Sequence, residues 1–215
     1  MEERSRLHVE GADDRHVVRH LLRRHGLLDH ASEGALLQIR DVGGRRALLD
    51  GIRPAVLTGT DRAVGFIIDT DSSIENTWAA VSNRLREVAV DVPNEIPRDG
   101  FVGTSSAYRT RVGVWMMPDN RRDGNLESFL AELARATTPR ILQHAEAATG
   151  EAIALGAEVP ATAIAKAVLH AWLAWQPTPG LPYGSAIGAH FFTHDTTTAA
   201  RFIAWFRRLF AFPNP

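Results

Sequence analysis

Apolar residues fall along this chain in short groups whose period switches between two and about three and a half. Residues 6–11 (Arg-Leu-His-Val-Glu-Gly) alternate and predict a short strand that ends in an acid and a glycine. Over 13–25, Val17, Val18, Leu21 and Leu22 share one helical face, arginines and histidines take the other, and Gly26 marks the stop. Leu36 to Ile39 predicts a second strand closed by Gly43-Gly44, after which Leu48, Leu49 and Ile52 form a helical stripe that Pro54 interrupts. Ala63 to Ile68 has no polar interruption, the pattern of a strand covered on both faces in a parallel sheet. Trp78, Val81, Leu85 and Val88 then recur at helical spacing over about 74–89.

Strand, helix, strand, helix, strand, helix predicts a parallel sheet with crossover connections. A Pro- and Gly-bearing stretch, 91–103, breaks the rhythm before Val112 to Met117, an apolar strand ended by Pro118-Asp119-Asn120. Leu126, Phe129, Leu130 and Leu133 make a short amphipathic helix. Ala161 to Trp175 reads as a mostly apolar helix, Gln176 to Gly188 as a loop, and 196–210 as a closing helix with Phe202, Ile203, Phe206 and Phe210 inward. The fold class is therefore α/β, a parallel-rich sheet flanked by helices with a mostly helical C-terminal elaboration. The 215 residues suit one domain, core 5–120 and helical extension 121–215.

Composition narrows the chemistry. With no cysteine there is no disulfide, thiolate metal site or cysteine nucleophile, which fits a cytoplasmic protein. Apolar runs are too short to span a membrane, and the charged start from Glu2 has no signal-peptide pattern. Formal charge is −1, so contact with nucleic acid has to come from local patches rather than an overall basic field. The one lysine is Lys166; every other fixed cation is arginine. Either arginine usage left a single survivor, or this position needs a compact ammonium.

Acids close three of the apolar strands: Glu10, then Asp69 and Asp71, then Asp119. Ligands of open parallel sheets bind beyond that edge. Carboxylates gathered there repel unless a cation sits among them, and Mg²⁺ suits oxygen ligands. The plainer reading is capping, with Asp71 or Ser72 at the helix near Ile74, Asp13 at the first helix, and Glu127 as a first-turn acid.

Val9-Glu10-Gly11 after the first strand and Asp69-Thr70-Asp71 after the third resemble the acidic signature of the TOPRIM superfamily. Several features are similar to its OLD-like branch: Asp14 four residues after Glu10, Glu127 in Leu126-Glu127-Ser128-Phe129-Leu130, and Lys166 in Ala165-Lys166-Ala167. Val112 to Asn120 and the later Trp175-Gln176-Pro177 resemble small stand-alone bacterial TOPRIM-like proteins. The resemblance implies Mg²⁺ or Mn²⁺ held by Glu10, Asp14, Asp69, Asp71 and Glu127. It makes Glu10, Asp69, Asp71 and Lys166 catalytic in phosphodiester hydrolysis of DNA or RNA. Two metals about 3.5–4 Å apart suit in-line displacement, one activating water and one steadying the leaving oxygen, while Lys166 neutralises charge on phosphorus. It further implies a role in phage defence with a separate ATPase partner, no membrane contact, and leaves the oligomeric state open. A non-catalytic metal- or nucleic-acid-binding regulatory module is the alternative, and primase-like nucleotidyl transfer ranks third for want of an added domain.

Other features carry less. Arginine pairs at 23–24, 45–46, 121–122 and 207–208 read as exposed faces before they read as a phosphate groove. His16 and His20 alternate with arginines and face solvent on this reading. Trp172, Trp175 and Trp205 belong to a core or partner interface rather than to base stacking. No Walker loop or dinucleotide fingerprint is present, which argues against an intrinsic ATPase or dehydrogenase.

Overall fold

A computed structural model describes residues 5–28 and 37–212. The elements follow the order β1 (Ser5–Val9), α1 (Ala12–Arg24), β2 (Leu37–Asp41), α2 (Arg45–Leu57), β3 (Ala63–Asp69), α3 (Ile74–Arg86), β4 (Phe101–Thr104) and β5 (Arg111–Met117). Then come α4 (Leu126–Thr137), α5 (Pro139–Ala154), α6 (Ile164–Ala174), α7 (Tyr183–Gly188) and α8 (Thr197–Phe210). The five strands lie in the order β2-β1-β3-β5-β4, parallel except for β4, which runs antiparallel along β5 at the edge. This is the α/β, parallel-rich sheet flanked by helices that the periodicity predicts. Leu36, expected to open the second strand, lies outside the described residues.

Alternation along each buried strand divides the interior in two. Leu7, Val9, Ile67, Trp115 and Met117 face a core shared with α1, α4, α5, α6, α7 and α8. Val64, Phe66, Ile68, Val112, Val114 and Met116 face a second core closed by α2 and α3. The C-terminal helices are thus a layer on the sheet. Gly65 and Gly113 stand side by side across β3 and β5, and a Cβ on either would meet Leu209 within 2.8 Å. That pit seats α8.

Four elements depart from expectation. Pro54 lies inside α2, which runs on to Leu57 and is closed by the Thr58 N–H donating to the Pro54 carbonyl. The stretch read as a break holds β4, whose Phe101 packs on Trp78 with ring centroids 5.6 Å apart. The residues 139–154, to which the pattern assigned no element, form α5, and α7 occupies the end of the segment read as a loop. Trp172 and Trp205 are fully buried, as core residues should be, while Trp175 is half exposed against His144. His16 is exposed as expected, but His20 is half-buried beside Gly188. Among the described residues no helix is long and apolar enough to cross a membrane.

Candidate functional site

The chain leaves β1 toward β2 on one side and reaches β3 on the other, so the connections diverge between β1 and β3. Helix α1 packs in the first core and α3 in the second, which opens a crevice at the carboxyl ends of these two strands. Glu10 directly follows β1 and Asp69 ends β3. Both therefore stand at the crevice, and they touch: the Asp69 N–H donates to Glu10 Oε1 at 2.9 Å.

Each further acid is brought in by a local device. Gly11 is the N-cap of α1, and its N–H donates to Asp14 Oδ2 at 3.1 Å, folding the Asp14 side chain back over the helix start. Asp14 is only 8% exposed. Asp71 sits in the left-handed region with φ 51, where Asp is among the more tolerant residues. The Thr70 and Asp71 N–H groups both donate to the Gly124 carbonyl, at 2.9 and 2.8 Å. This ties the β3–α3 loop to the loop before α4. The Leu126 N–H then donates to Asp69 Oδ1 at 3.1 Å, which places the first turn of α4, and Glu127 with it, over the crevice.

The capping expectations are corrected here. Ser73, not Asp71 or Ser72, caps α3 by accepting from the Asn76 N–H, and Asp13 is not the N-cap of α1. Asp71 instead faces Arg45, whose Nη1 lies 3.3 Å from Asp71 Oδ2 and donates to the Asp69 carbonyl at 2.9 Å. Glu127 does lie in the first turn of α4, but its carboxylate also meets a cation. Lys166 Nζ, from α6, is 3.5 Å from Glu127 Oε1 and 3.6 Å from Asp13 Oδ2. Asp119, the remaining strand-end acid, is turned away from this group: the Arg121 and Arg122 N–H groups and Arg122 Nε all donate to it.

The electrostatics follow from burial and crowding. Burial above all, then Asp14, Glu10, Asp71 and Glu127, pushes Asp69 up to about 8. Burial, with Asp14 and Asp71 adding to it, raises Glu10 to about 7 despite the Asp69 N–H. Burial and then Glu127 and Asp13 raise Asp14 to about 6. Burial works against the Lys166 ammonium, but Glu127 and Asp13 outweigh it and hold its pKa above the ordinary value. A neutral-pH crevice with this many acids and two facing cations favours either protons or a divalent ion.

Five carboxylates offer the all-oxygen donor set that Mg²⁺ or Mn²⁺ takes. Among the described residues no three His, Asp or Glu side chains already form a cation cage. The reason is visible in the contacts: Glu10 is turned onto the Asp69 N–H and Asp71 toward Arg45. The donor chemistry is of the kind such an ion takes, while the described side chains as they stand do not close around one.

Two neighbours escape sequence reasoning. Arg45 belongs to a pair of arginines with every sign of an exposed face, yet it spans Asp71, Asp69 and Thr77. Tyr183, in the segment read as a loop, is 3% exposed, and its hydroxyl has no hydrogen-bond partner. Burial first, and then Glu127 and Asp13, raise its pKa, so the phenol sits close to the Lys166 end of the crevice. Only the small-residue pattern after it, Gly184 against the backbone of His16, hints in sequence that α7 packs tightly on α1.

Neither the curated proteins nor the solved structures contain a match to this chain. The family model for DUF3226, described as a protein of unknown function, matches residues 4–211, and the chain belongs to that family.

Proposed function

We propose that the protein is a metal-dependent nuclease, or a related phosphotransfer enzyme, of the TOPRIM type, acting on DNA or RNA in the cytoplasm. One observation carries the reading: Glu10, Asp14, Asp69, Asp71 and Glu127, from three separate parts of the chain, interact at one crevice with Lys166 beside them. Glu10, Asp69 and Asp71, with Asp14 and Glu127 adjoining, would hold Mg²⁺ or Mn²⁺. Such an ion supplies Lewis acidity toward a phosphodiester and lowers the pKa of a bound water.

The chain's own groups do the rest. Lys166 remains charged at neutral pH and orients a phosphate oxygen at the Glu127 side of the crevice. Arg45 fixes the loop that carries Asp69 and Asp71 by donating to the Asp69 carbonyl. Burial of Glu10 and Asp14 keeps bulk water from weakening these interactions. A separate ATPase partner and a role in phage defence belong to this proposal through the TOPRIM resemblance.

A non-catalytic binding module is the second reading. The formal charge of −1 and the engagement of Glu10 with a backbone N–H favour it.

Mn²⁺ titration followed by melting temperature tests the site, because a ligand that binds only the folded state stabilises it. A rise in melting temperature is expected for the parent and none for Asp69→Asn. A gel assay on plasmid and single-stranded substrates with Mn²⁺ then separates the two readings. Metal binding without cleavage, even with a candidate ATPase partner present, favours the binding module. No Mn²⁺ response in the parent sinks both metal readings.

A further inference from the structure

The acidic crevice has a neighbour. A groove of about 550 Å³ runs along α3, walled by the 94–98 segment and by the turn at Asn120 and Arg121. Its apolar surface is the half-buried Ile74 and Ile96, with Trp78 beneath them, 3% exposed and donating from Nε1 to the Pro93 carbonyl. Helix α3 has 13 residues, so the wall it makes is about 20 Å long at 1.5 Å per residue.

The same two loops shape the groove and the crevice. The Ile74 N–H donates to Asp123 Oδ1 at 2.7 Å, next to the Gly124 carbonyl that receives Thr70 and Asp71. Asn120 accepts from the Met116 N–H at 2.7 Å and its Nδ2 reaches the Arg98 carbonyl at 3.5 Å. These contacts set Arg98 and Arg121 around the carboxyl end of β5, beside the strand that ends in Asp69. Arg86 lies at the far end of α3.

The three arginines of the groove share a second property. Among the described residues none of them pairs with a carboxylate; Arg86 reaches only Ser82 and Asn83, and the guanidinium groups of Arg98 and Arg121 have no partner. Other arginines of this chain commonly do pair, as Arg45, Arg84, Arg109, Arg122 and Arg135 show. Glu75 and Glu95 also line the groove, so its long-range attraction for a polyanion is small. Recognition there has to come from short-range phosphate contacts and from apolar surface.

We infer that this groove is a track for a single strand of nucleic acid, which it delivers to the acidic crevice. Three partnerless or acid-free guanidinium groups meet phosphates, and the exposed edges of Ile74 and Ile96 cover unstacked bases. The amide of Asn94, and the Nδ2 of Asn83 whose Oδ1 already accepts from Arg86, face base edges. A duplex would leave that apolar surface unused, because its bases are stacked on one another and only its phosphates reach a protein wall. The inference rests on the nucleic-acid reading above and gives the strand a path to the acids.

Fluorescence anisotropy of a labelled 12-mer of deoxythymidine, in EDTA so that no cleavage occurs, tests it on the full chain. The single strand is expected to bind at least ten times tighter than a duplex of the same length. The double variant Arg98→Glu/Arg121→Glu should weaken binding tenfold or more, with an unchanged melting temperature, since both side chains are exposed. Its slope of log affinity against log salt should shrink by about 1.4, two contacts at about 0.7 each. The control Arg46→Glu/Arg53→Glu, on exposed α2 positions away from the groove, should bind like the parent. Equal loss in both double variants, or preference for duplex, overturns the inference. A protein that binds the strand here but never cleaves keeps the track and loses the nuclease. One that cleaves with Arg98 and Arg121 reversed, at parental affinity, loses the track and keeps the nuclease.

Discussion

Asp69 and Asp119 arrive at the same sheet edge by the same route, at the ends of neighbouring parallel strands, yet they are opposite kinds of acid. The register pairs Asp69 with Met117, two residues before Asp119. Asp119 is 7% exposed and answered on every side: two backbone N–H groups at 3.1 Å and Arg122 Nε at 2.8 Å. Asp69 receives one side-chain hydrogen bond, from Leu126, and otherwise looks at carboxylates. The first is a turn built around a charge. The second is a buried carboxyl crowded by others. An acid after an apolar strand says nothing of which it is; the residues that follow it do, Asn120-Arg121-Arg122 in one case and Thr70-Asp71 in the other.

The largest test of this contrast exchanges their outcomes. Asp69→Asn should abolish the Mn²⁺-induced rise in melting temperature and, without metal, melt above the parent. The gain is about 2–4 °C for each kcal/mol of repulsion relieved in a chain of this size. Asp119→Ala should do the reverse, keeping the Mn²⁺ response and losing about 1–3 kcal/mol by leaving N–H groups and a guanidinium without their acceptor. Urea unfolding with and without Mn²⁺ measures both. If both variants lose stability and both keep the metal response, the distinction is wrong.

Acid titration sharpens it next. Asp69, Glu10 and Asp14 have folded pKa values of about 8, 7 and 6, above their unfolded values, so the folded state binds more protons than the unfolded one. Metal-free stability should therefore rise as pH falls from about 8 toward 6. His8 acts in the other direction. Burial, then Arg40 and Arg6, lower it from 6.5 to about 4, so its contribution is lost as pH falls through that window. Three raised carboxyls outweigh one lowered histidine, so metal-free melting temperature should go on rising as pH falls to about 4.5, and saturating Mn²⁺ should flatten that trend. A metal-free curve that rises steadily from pH 6 to 8 would contradict the assignment.

The smallest effect belongs to Tyr183. Tyr183→Phe removes a buried hydroxyl without an acceptor and keeps the ring that packs against His170. Metal-free stability should hold or rise by up to about 1 kcal/mol. A loss of that size, read by urea unfolding, would mean that the hydroxyl is hydrogen-bonded to a group of the crevice such as Glu127.

Much of this was legible in order along the chain. β1, β3 and β5 announce themselves because each is an unbroken or alternating apolar run, and Glu10 and Asp69 are conspicuous because they end such runs. β4 is not, since four residues that include Gly103 carry no period, and its strand character comes from pairing with β5. Pro54 misleads because Leu48, Ile52, Ala55 and Val56 are buried against β3 and α3, and that packing outweighs the one helical hydrogen bond a proline forgoes. α5 and α7 owe their form to packing on α6 and α1, a partner that no local window contains. For the same reason Lys166 was visible only as an oddity of composition, Arg45 as one of a pair, and Tyr183 not at all.

Lys166 reaches Asp13 and Glu127 from a helix some forty residues beyond the last acid of the group. Domains form largely as units while synthesis proceeds from the amino terminus. A nascent chain that has emerged only through β5 would hold Glu10, Asp14, Asp69 and Asp71 but neither the helix α4 that brings Glu127 nor the ammonium. On the proposed reading, the group of acids and its ammonium is thus complete only once α6 has joined the fold.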